Sequence, residues 1–406
     1  MFNRSFVLKI FEGFSLERWN DLVRPFPLIE IDKSAEKAVL AYIIGKFEEK
    51  NGTHIDWSRI IYGSFFDLLR KIVLSDIKAP VQRMIRNEYP DEYKKLNEWV
   101  LDQYIHIISD KKLFQEFSDY VLGEPDTNDI TWRVLRAAHK YSTMREVELL
   151  TIVNEPFRLI EVTKNLNRDI EEFLDLRGLQ LLITKQTPYD FLMEIERLRF
   201  QTRWNQTPRI PATSVLGHSY FVAALTLLLS REIGAPAGRF YNNFFSALFH
   251  DLPEAVTRDI ISPVKQATDH LPAIVKEIED KIVEKELVPL MDESFRSELM
   301  YFTSNEFCNR ILNSEGQVEF VDFQDLQTTY SNDACKPVDG KLVRAADQIA
   351  AFVEADSSIR YGISSSHLEM GRKNIFSQYS EGTLINGIDI GALLAEFRNP
   401  NQLDLF

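Results

Sequence analysis

The chain has 406 residues, of which 45% are hydrophobic and 12% aromatic, so it carries enough apolar material for two or three folded domains. Its 47 basic and 61 acidic residues give a net charge of −14, which argues against binding nucleic acid or an anionic membrane through bulk charge. The two cysteines lack metal-type spacing, which excludes a disulfide scaffold and a zinc finger. No apolar run reaches the length of about 18 residues that a transmembrane helix needs. We therefore expect a soluble, cytoplasmic protein.

Helical periodicity dominates the chain, and the strand-like alternation of polar and apolar residues is scarce. The segment 214–231 is apolar over several turns, which is typical of a helix buried inside a bundle. In 340–355 the apolar residues recur at helical spacing on one face. Turn residues concentrate at 204–211, 233–238, 332–340 and 398–401. The sequence predicts a mainly α fold.

An internal repeat relates the first half of the chain to the second. Four pairs of segments align in the same order with small changes of offset. At an offset of 185, residues 18–20 align with 203–205 and residues 32–40 align with 217–225. Residues 64–82 align with 247–265 at an offset of 183, and residues 135–138 align with 343–346 at an offset of 208. Shared helical composition does not easily reproduce a repeated Arg-Trp-Asn, so we predict a duplication. The predicted units are 1–175, 176–397 and a flexible tail, 398–406.

The second half contains a set of candidate metal ligands, namely His218, His250, Asp251 and Asp347. These residues come from three separate helical segments, and a helical bundle can direct such side chains to one cation. Imidazole and carboxylate ligands without a thiolate favour one divalent ion, Mn²⁺, Co²⁺, Fe²⁺ or Mg²⁺, over a structural zinc. Ligands from separated points also leave room for water and a substrate.

The ordered His…His-Asp…Asp set resembles the signature of the HD-domain metal-dependent phosphohydrolases, and most closely their 5′-deoxynucleotidase-like branch. Three features carry this resemblance: Arg203-Trp204 upstream of His218, HDLPEAVTRDIISPVK at 250–265, and AADQIAAFVE at 345–354. The resemblance covers roughly 186–360 and implies tandem HD-type helical bundles. It also implies that a deoxyribonucleoside 5′-monophosphate is hydrolysed to deoxynucleoside and phosphate.

The same resemblance implies roles for residues around the ligands. Glu254 takes the proton-transfer role, and Asp259 matches a position that turnover requires. Arg203 offers a fork of donors to a phosphate, and Lys265 adds a point charge. Trp204 presents a flat face to the sugar or base. A structural role is the alternative for Arg203 and Trp204, because both recur in the first half as Arg18 and Trp19. Gln82 replaces Lys265 in the first half, which weakens its assignment, and a solvated helix position is the alternative for Glu254.

The first half resembles a degenerate HD-like domain without metal ligands. The four candidate metal ligands and Glu254 are all replaced at the aligned positions of the first half. The replacements are Lys33 for His218, Asp67-Leu68 for His250-Asp251, Lys71 for Glu254, and His139 for Asp347. A lysine repels a cation, so we expect no metal here. This half could serve packing, homo-oligomerisation or regulation, or hold an anion if Arg18, Lys33 and Lys71 converge.

Residues 402–406 (QLDLF) resemble the peptide by which bacterial replication and repair proteins dock on the DNA polymerase sliding clamp. The alternative is a tail that packs on its own domain. Two other enzyme functions stay open, a dNTP triphosphohydrolase and a phosphodiesterase of cyclic or oligonucleotides. In a third alternative, the protein is a nucleotide-sensing or replication-associated binding protein whose metal is structural.

Overall fold

The computed structural model describes residues 2–258 and 268–398, and most of the regular structure in these ranges is helical. The mainly α prediction is confirmed. The helices of the first half are α1 (Arg4–Phe11), α2 (Glu30–Lys50), α3 (Trp57–Leu74), α4 (Ala79–Glu88), α5 (Pro90–Asp102), α6 (Lys111–Leu122), α7 (Ile130–Leu150), α8 (Ile160–Glu171) and α9 (Arg177–Ile183). Those of the second half are α10 (Thr187–Phe200), α11 (Val215–Glu232), α12 (Ala237–Phe249), α13 (Glu254–Thr257), α14 (Leu271–Ile282), α15 (Arg296–Thr303), α16 (Phe323–Gln327), α17 (Gly340–Arg360), α18 (Ser366–Gln378) and α19 (Ile390–Ala395).

Two small antiparallel sheets lie in the second half. The strands are β1 (Asn309–Leu312), β2 (Val318–Phe320), β3 (Val338–Asp339), β4 (Leu384–Ile385) and β5 (Ile388–Asp389). The first sheet has the order β2-β1-β3, with Ile311 opposite Glu319, and the second pairs β4 with β5. The three-stranded sheet leads directly into α17, because β3 ends where that helix begins.

Helices α2 and α11 form the centre of the molecule and pack against each other. Residues 215–230 of α11 are all buried, as expected for a helix that is apolar on every side. The Ser214 side chain caps this helix by accepting a hydrogen bond from Gly217 N at 2.8 Å. Helices α12 and α17 pack on α11, and α3 and α7 pack on α2 in the same way.

Helix α2 is buried from Glu30 to Glu48 although its sequence is rich in charge. Buried charges need partners, and the partners come from distant parts of the chain. Glu36 accepts a hydrogen bond from Arg199 of α10 at 3.3 Å, and Asp32 accepts one from the Ser214 hydroxyl. These contacts join the two halves.

One hydrophobic core runs through both halves, from Phe2 to Phe397. Helix α9, which follows the predicted boundary at 175/176, packs on α2 of the first half. Gly178 permits this, because a Cβ there would lie 2.7 Å from Ile44 Cα. Among the described residues, no helix is both long and apolar enough to cross a membrane.

The loop before each central helix has the same backbone geometry. Glu17 bridges to Ile29 ahead of α2, and Thr202 bridges to Ser214 ahead of α11, again 185 residues apart. Trp19 and Trp204 adopt left-handed φ values of 57° and 54°, which are uncommon for a bulky residue. This recurrence supports the proposal that the two halves arose by duplication.

Candidate metal and phosphate site

Three of the predicted ligands converge in the second half. His218 lies in α11, His250 follows the end of α12 and Asp347 lies in α17, and one ligand atom from each lies within 4.8 Å of the others. His218 Nε2 and Asp347 Oδ1 are 3.1 Å apart. Both imidazoles are buried, whereas the Asp347 side chain is 16% exposed, so the group opens to solvent on the side of Asp347.

Hydrogen bonds on the far side of each imidazole fix its orientation. His250 Nδ1 lies 2.7 Å from the Ala247 carbonyl oxygen, which accepts its proton and leaves Nε2 as the basic nitrogen. His218 Nδ1 lies 3.0 Å from Glu354 Oε1, which leaves Nε2 directed at Asp347. Metal-binding histidines commonly have such an acceptor behind the ring.

Asp251, the fourth predicted ligand, borders this group. Its Oδ2 lies 3.3 Å from His250 Nε2 and 3.6 Å from Arg203 Nη1. Within the described ranges this buried oxygen accepts no hydrogen bond. A buried carboxylate oxygen without a donor is costly, and a cation would satisfy it. Nitrogen and oxygen donors without a thiolate fit a divalent metal ion.

Glu354 belongs to the site although the sequence analysis did not assign it. It is fully buried and accepts hydrogen bonds from His218 Nδ1, from Trp204 Nε1 at 2.8 Å and from Arg203 Nε at 3.4 Å. Glu354 follows Asp347 by seven residues, two turns along the same face of α17. This spacing could have identified Glu354 as a site residue from the sequence. The aligned glutamate of the first half, Glu146, could have done the same.

Arg203 and Trp204 are held in the loop before α11. Arg203 lies between Glu354 and Asp251, with its side chain 17% exposed. The Trp204 ring packs on Gly371 of α18, where a Cβ would lie 2.6 Å from Cη2. Its N–H donates to Glu354, so Trp204 has a packing role in addition to any contact with a substrate.

Glu254 begins the short helix α13 after a break in the chain path. Helix α12 ends at Phe249 and is followed by a turn over 251–253. At the end of this turn the Glu254 N–H donates a hydrogen bond to the Asp251 carbonyl oxygen at 3.0 Å. The spacing of four residues from His250 is therefore not one turn of a continuous helix. The negative charge of Glu254 helps to raise the pKa of Arg203. Asp259, Lys265 and the tail 402–406 lie outside the described residues.

The opening also contains Arg344 and Tyr379, which the sequence analysis left unassigned. Arg344 precedes Asp347 by three residues on α17 and stands over the Phe307 ring, 4.8 Å from its centroid. Burial is the main cause that raises the pKa of Tyr379 to about 12, and the charges of Arg344 and Asp347 both act on its hydroxyl. Arg344 is exposed and forms no ion pair within the described ranges.

The charged groups of the site hold one another in their ionised forms. Burial by itself would lower the pKa of Arg203, but the carboxylates of Glu354 and Asp251 raise it above its usual value. Burial would raise the pKa of Asp347, but the hydrogen bond from His218 helps to lower it to about 2. Ionised carboxylates are the form that binds a metal.

A helical bundle with a buried His, His, Asp group and an adjacent arginine is typical of metal-dependent hydrolases. The family model of the HD domain matches residues 195–376, which lie in the second half of the chain. The predicted resemblance of the second half is thereby confirmed, and it supports a phosphohydrolase.

A curated relative points in the same direction. The chain is 30% identical over 114 residues to a 5′-deoxynucleotidase of Photorhabdus laumondii subsp. laumondii. The aligned segment covers 26% of this chain and 57% of the relative, so the match spans little more than half of that protein.

Proposed function

We propose that this protein is a metal-dependent phosphohydrolase that converts deoxyribonucleoside 5′-monophosphates to deoxynucleoside and phosphate. The observation that carries the proposal is the convergence of His218, His250 and Asp347 within 4.8 Å, with Arg203 beside them. The HD-domain match and the similarity to a 5′-deoxynucleotidase support it.

The residues that would hold one Mn²⁺, Co²⁺, Fe²⁺ or Mg²⁺ ion are His218, His250, Asp251 and Asp347. When bound, the ion supplies Lewis-acid activation of water and of the phosphate. Glu354 and the Ala247 carbonyl accept hydrogen bonds from the two Nδ1 atoms and so orient both Nε2 atoms toward the place where the ion would bind.

Arg203 is placed to bind and orient the phosphate. Its only side-chain hydrogen bond to a described residue runs from Nε to Glu354, and its Nη1 faces Asp251 at 3.6 Å, so Nη2 is the group best placed to donate to a phosphate. Arg344, at the opening, adds a second cation without an ion-pair partner among the described residues. Glu254 and Asp259 would move the proton, as the family resemblance implies.

The cations near the site favour a monophosphate over a triphosphate. Arg209 is buried and donates to the carbonyl oxygens of Arg203, Pro211 and Thr213, so it holds the loop together. Burial lowers the pKa of Arg209 to about 10, as expected for a cation withdrawn from water. Among the described residues near the site, Arg203 and Arg344 provide less free positive charge than a triphosphate would need; Lys265 lies outside these residues.

The decisive experiment measures phosphate release from dNMPs, NMPs and dNTPs by metal-stripped protein resupplied with Mn²⁺, Co²⁺ or Mg²⁺. We expect metal-dependent release of inorganic phosphate from dNMPs, lost in His250→Ala and Asp251→Ala. Release of triphosphate from dNTPs instead would establish the triphosphohydrolase. Metal binding without any turnover would favour a nucleotide-binding protein.

The predicted partner interactions are tested separately. Deletion of 402–406 should abolish binding to a bacterial sliding clamp while phosphate release continues. Unchanged clamp binding would refute the tail assignment. Sedimentation of the purified chain would test the predicted homo-oligomer.

A further inference from the structure

The two halves of the chain pack on each other around an approximate two-fold axis. Positions 32 and 217 are equivalent in the repeat, at the offset of 185, and they face each other where α2 packs on α11. A Cβ at Gly217 would lie 2.7 Å from Asp32 Oδ1. Glycine is therefore favoured at position 217, because the carboxylate of the first half fills the space beside it.

Reciprocal contacts on either side of this point follow the same symmetry. The Phe14 ring packs edge-on against the Phe221 ring, with their centroids 6.0 Å apart. At the offset of 185, Arg199 is equivalent to Phe14 and Phe221 is equivalent to Glu36, and Arg199 donates to Glu36 at 3.3 Å. Such paired contacts define an isologous interface. The first half therefore packs on the second as one subunit packs on the other in a two-fold dimer.

Asp32 contacts the start of α11 across this interface. Its side chain is buried and accepts a hydrogen bond from the Ser214 hydroxyl. That hydroxyl in turn accepts a hydrogen bond from the Gly217 N–H at 2.8 Å, and the Ser214 carbonyl accepts one from the His218 N–H at 3.1 Å. Ser214 therefore ties the first turn of α11, with the backbone of a candidate metal ligand, to a carboxylate of the other half.

Ser214 also anchors the loop that carries Arg203. It pairs with Thr202 in an isolated antiparallel bridge, and the Arg203 N–H donates to the Thr213 carbonyl at 2.9 Å. Arg203 and His218 therefore lie on either side of the same anchored residue along this bridge and helix. A displacement of Ser214 would move both of them.

We propose that Asp32 is a positioning residue for the metal site of the second half and acts through Ser214. A hydroxyl donates one hydrogen bond, so an acceptor behind it fixes the direction in which its lone pairs receive the Gly217 N–H. Asp32 supplies this acceptor. Without it the Ser214 hydroxyl is free to rotate, the first turn of α11 is less well fixed, and His218 shifts relative to the other ligands.

This role makes the metal site of one half depend on the other half, in which the candidate ligands are replaced. The inference rests on the metal binding that is part of the proposed function, but it does not require turnover. It also distinguishes Asp32 from a residue that only stabilises the fold, because the affinity for a metal ion should change with the side chain at position 32.

The test is a Co²⁺ titration of the metal-free, full-length protein, followed through the visible absorption of the bound ion. We expect Asp32→Ala to weaken Co²⁺ binding about tenfold and to change the absorption spectrum, as is typical when a group that supports a ligand is removed. Asp32→Asn should bind Co²⁺ within about threefold of the parent affinity, because its amide oxygen still accepts from Ser214.

Ser214→Gly provides a second variant if Asp32→Ala does not fold. It removes the hydroxyl that Asp32 holds, and glycine is itself an acceptable residue at the N-cap of a helix. The same weakening is expected. Tyr42→Phe is the matched control, because it removes another hydrogen bond between the halves, from Tyr42 to Glu298 of α15 at 2.8 Å. It should lower stability in urea and leave the Co²⁺ affinity unchanged.

Parental Co²⁺ affinity and spectrum in both Asp32→Ala and Ser214→Gly would overturn the proposal. An equal loss of affinity in Tyr42→Phe or in Asp32→Asn would also overturn it, because the loss would then not depend on the acceptor at position 32. Absence of Co²⁺ binding to the parent protein would refute the metal site and this role together. Co²⁺ binding without phosphate release would refute only the proposed turnover, so the two failures are distinguishable.

Discussion

Glu354→Gln is the substitution that tests most directly how the candidate metal site is held. The carboxylate is fully buried and accepts from His218 Nδ1 at 3.0 Å, Trp204 Nε1 at 2.8 Å and Arg203 Nε at 3.4 Å. Glutamine keeps the shape and one acceptor oxygen but places an NH₂ donor where the second oxygen was. At least one of the three donors must then lose its acceptor.

The expected magnitude follows from these contacts. A hydrogen bond to a charged group contributes about 1.5–3 kcal/mol, and removal of one partner of a buried ion pair costs about 3–5 kcal/mol. Arg203 remains 3.6 Å from Asp251, and glutamine keeps one acceptor, so the smaller range applies. We expect the free energy of unfolding to fall by about 2–3 kcal/mol. Metal affinity should fall about 10–100-fold, because the tautomer of His218 is no longer fixed.

Urea unfolding of the metal-free protein and a metal titration of the folded protein measure the two effects. Glu146→Gln is the matched control, since Glu146 makes the corresponding contacts with Arg18, Trp19 and Lys33 in the first half. It should lose similar stability without losing metal affinity. Metal affinity in Glu354→Gln within about twofold of the parent value would refute the reasoning.

The remaining predictions concern pH, metal, and the phosphate contacts. Burial is the main cause that raises the pKa of Asp32 to about 6. The folded state therefore holds this proton more tightly than the unfolded state, and the contribution of Asp32 to stability should fall by about 3 kcal/mol as pH rises from about 4 through 6. Urea unfolding should show this contribution as the difference in pH dependence between the parent protein and Asp32→Asn. A chelator should lower the thermal unfolding midpoint of the parent protein but not of His250→Ala, as differential scanning calorimetry would show. Arg203→Lys should lower kcat/KM for a dNMP about 10–100-fold, because lysine lacks the bidentate fork, and an unchanged value would exclude phosphate contact. Arg344→Met should raise KM about tenfold in the same assay without a change in urea unfolding, because Arg344 is exposed.

The sequence by itself determined the class of the fold and the chemical character of the site. Helical periodicity is a local property, so the buried helix predicted over 214–231 corresponds to α11, Val215–Glu232. His218, His250 and Asp347 were predicted as ligands because only a few residue types bind a divalent ion. The structure brings these three together, and the roles of all the site residues stay predictions until they are tested by mutation.

The tertiary structure decided which side chains support those ligands. His218 and Glu354 are 136 positions apart, and their hydrogen bond depends on how α17 packs on α11. Arg209 is a cation close to the site in sequence, but the structure uses its donors to hold the loop. The break between α12 and Glu254 is likewise invisible in a spacing of four residues.

The burial of α2 shows the same limit most clearly. Its charges would predict an exposed helix, yet Asp32, Lys33 and Glu36 are buried because their partners converge from α7, α10 and the loop before α11. Local sequence determines helix formation through backbone and side-chain preferences within a few residues. Ion pairing between distant segments depends on the three-dimensional arrangement of the whole chain, and only the folded structure specifies it.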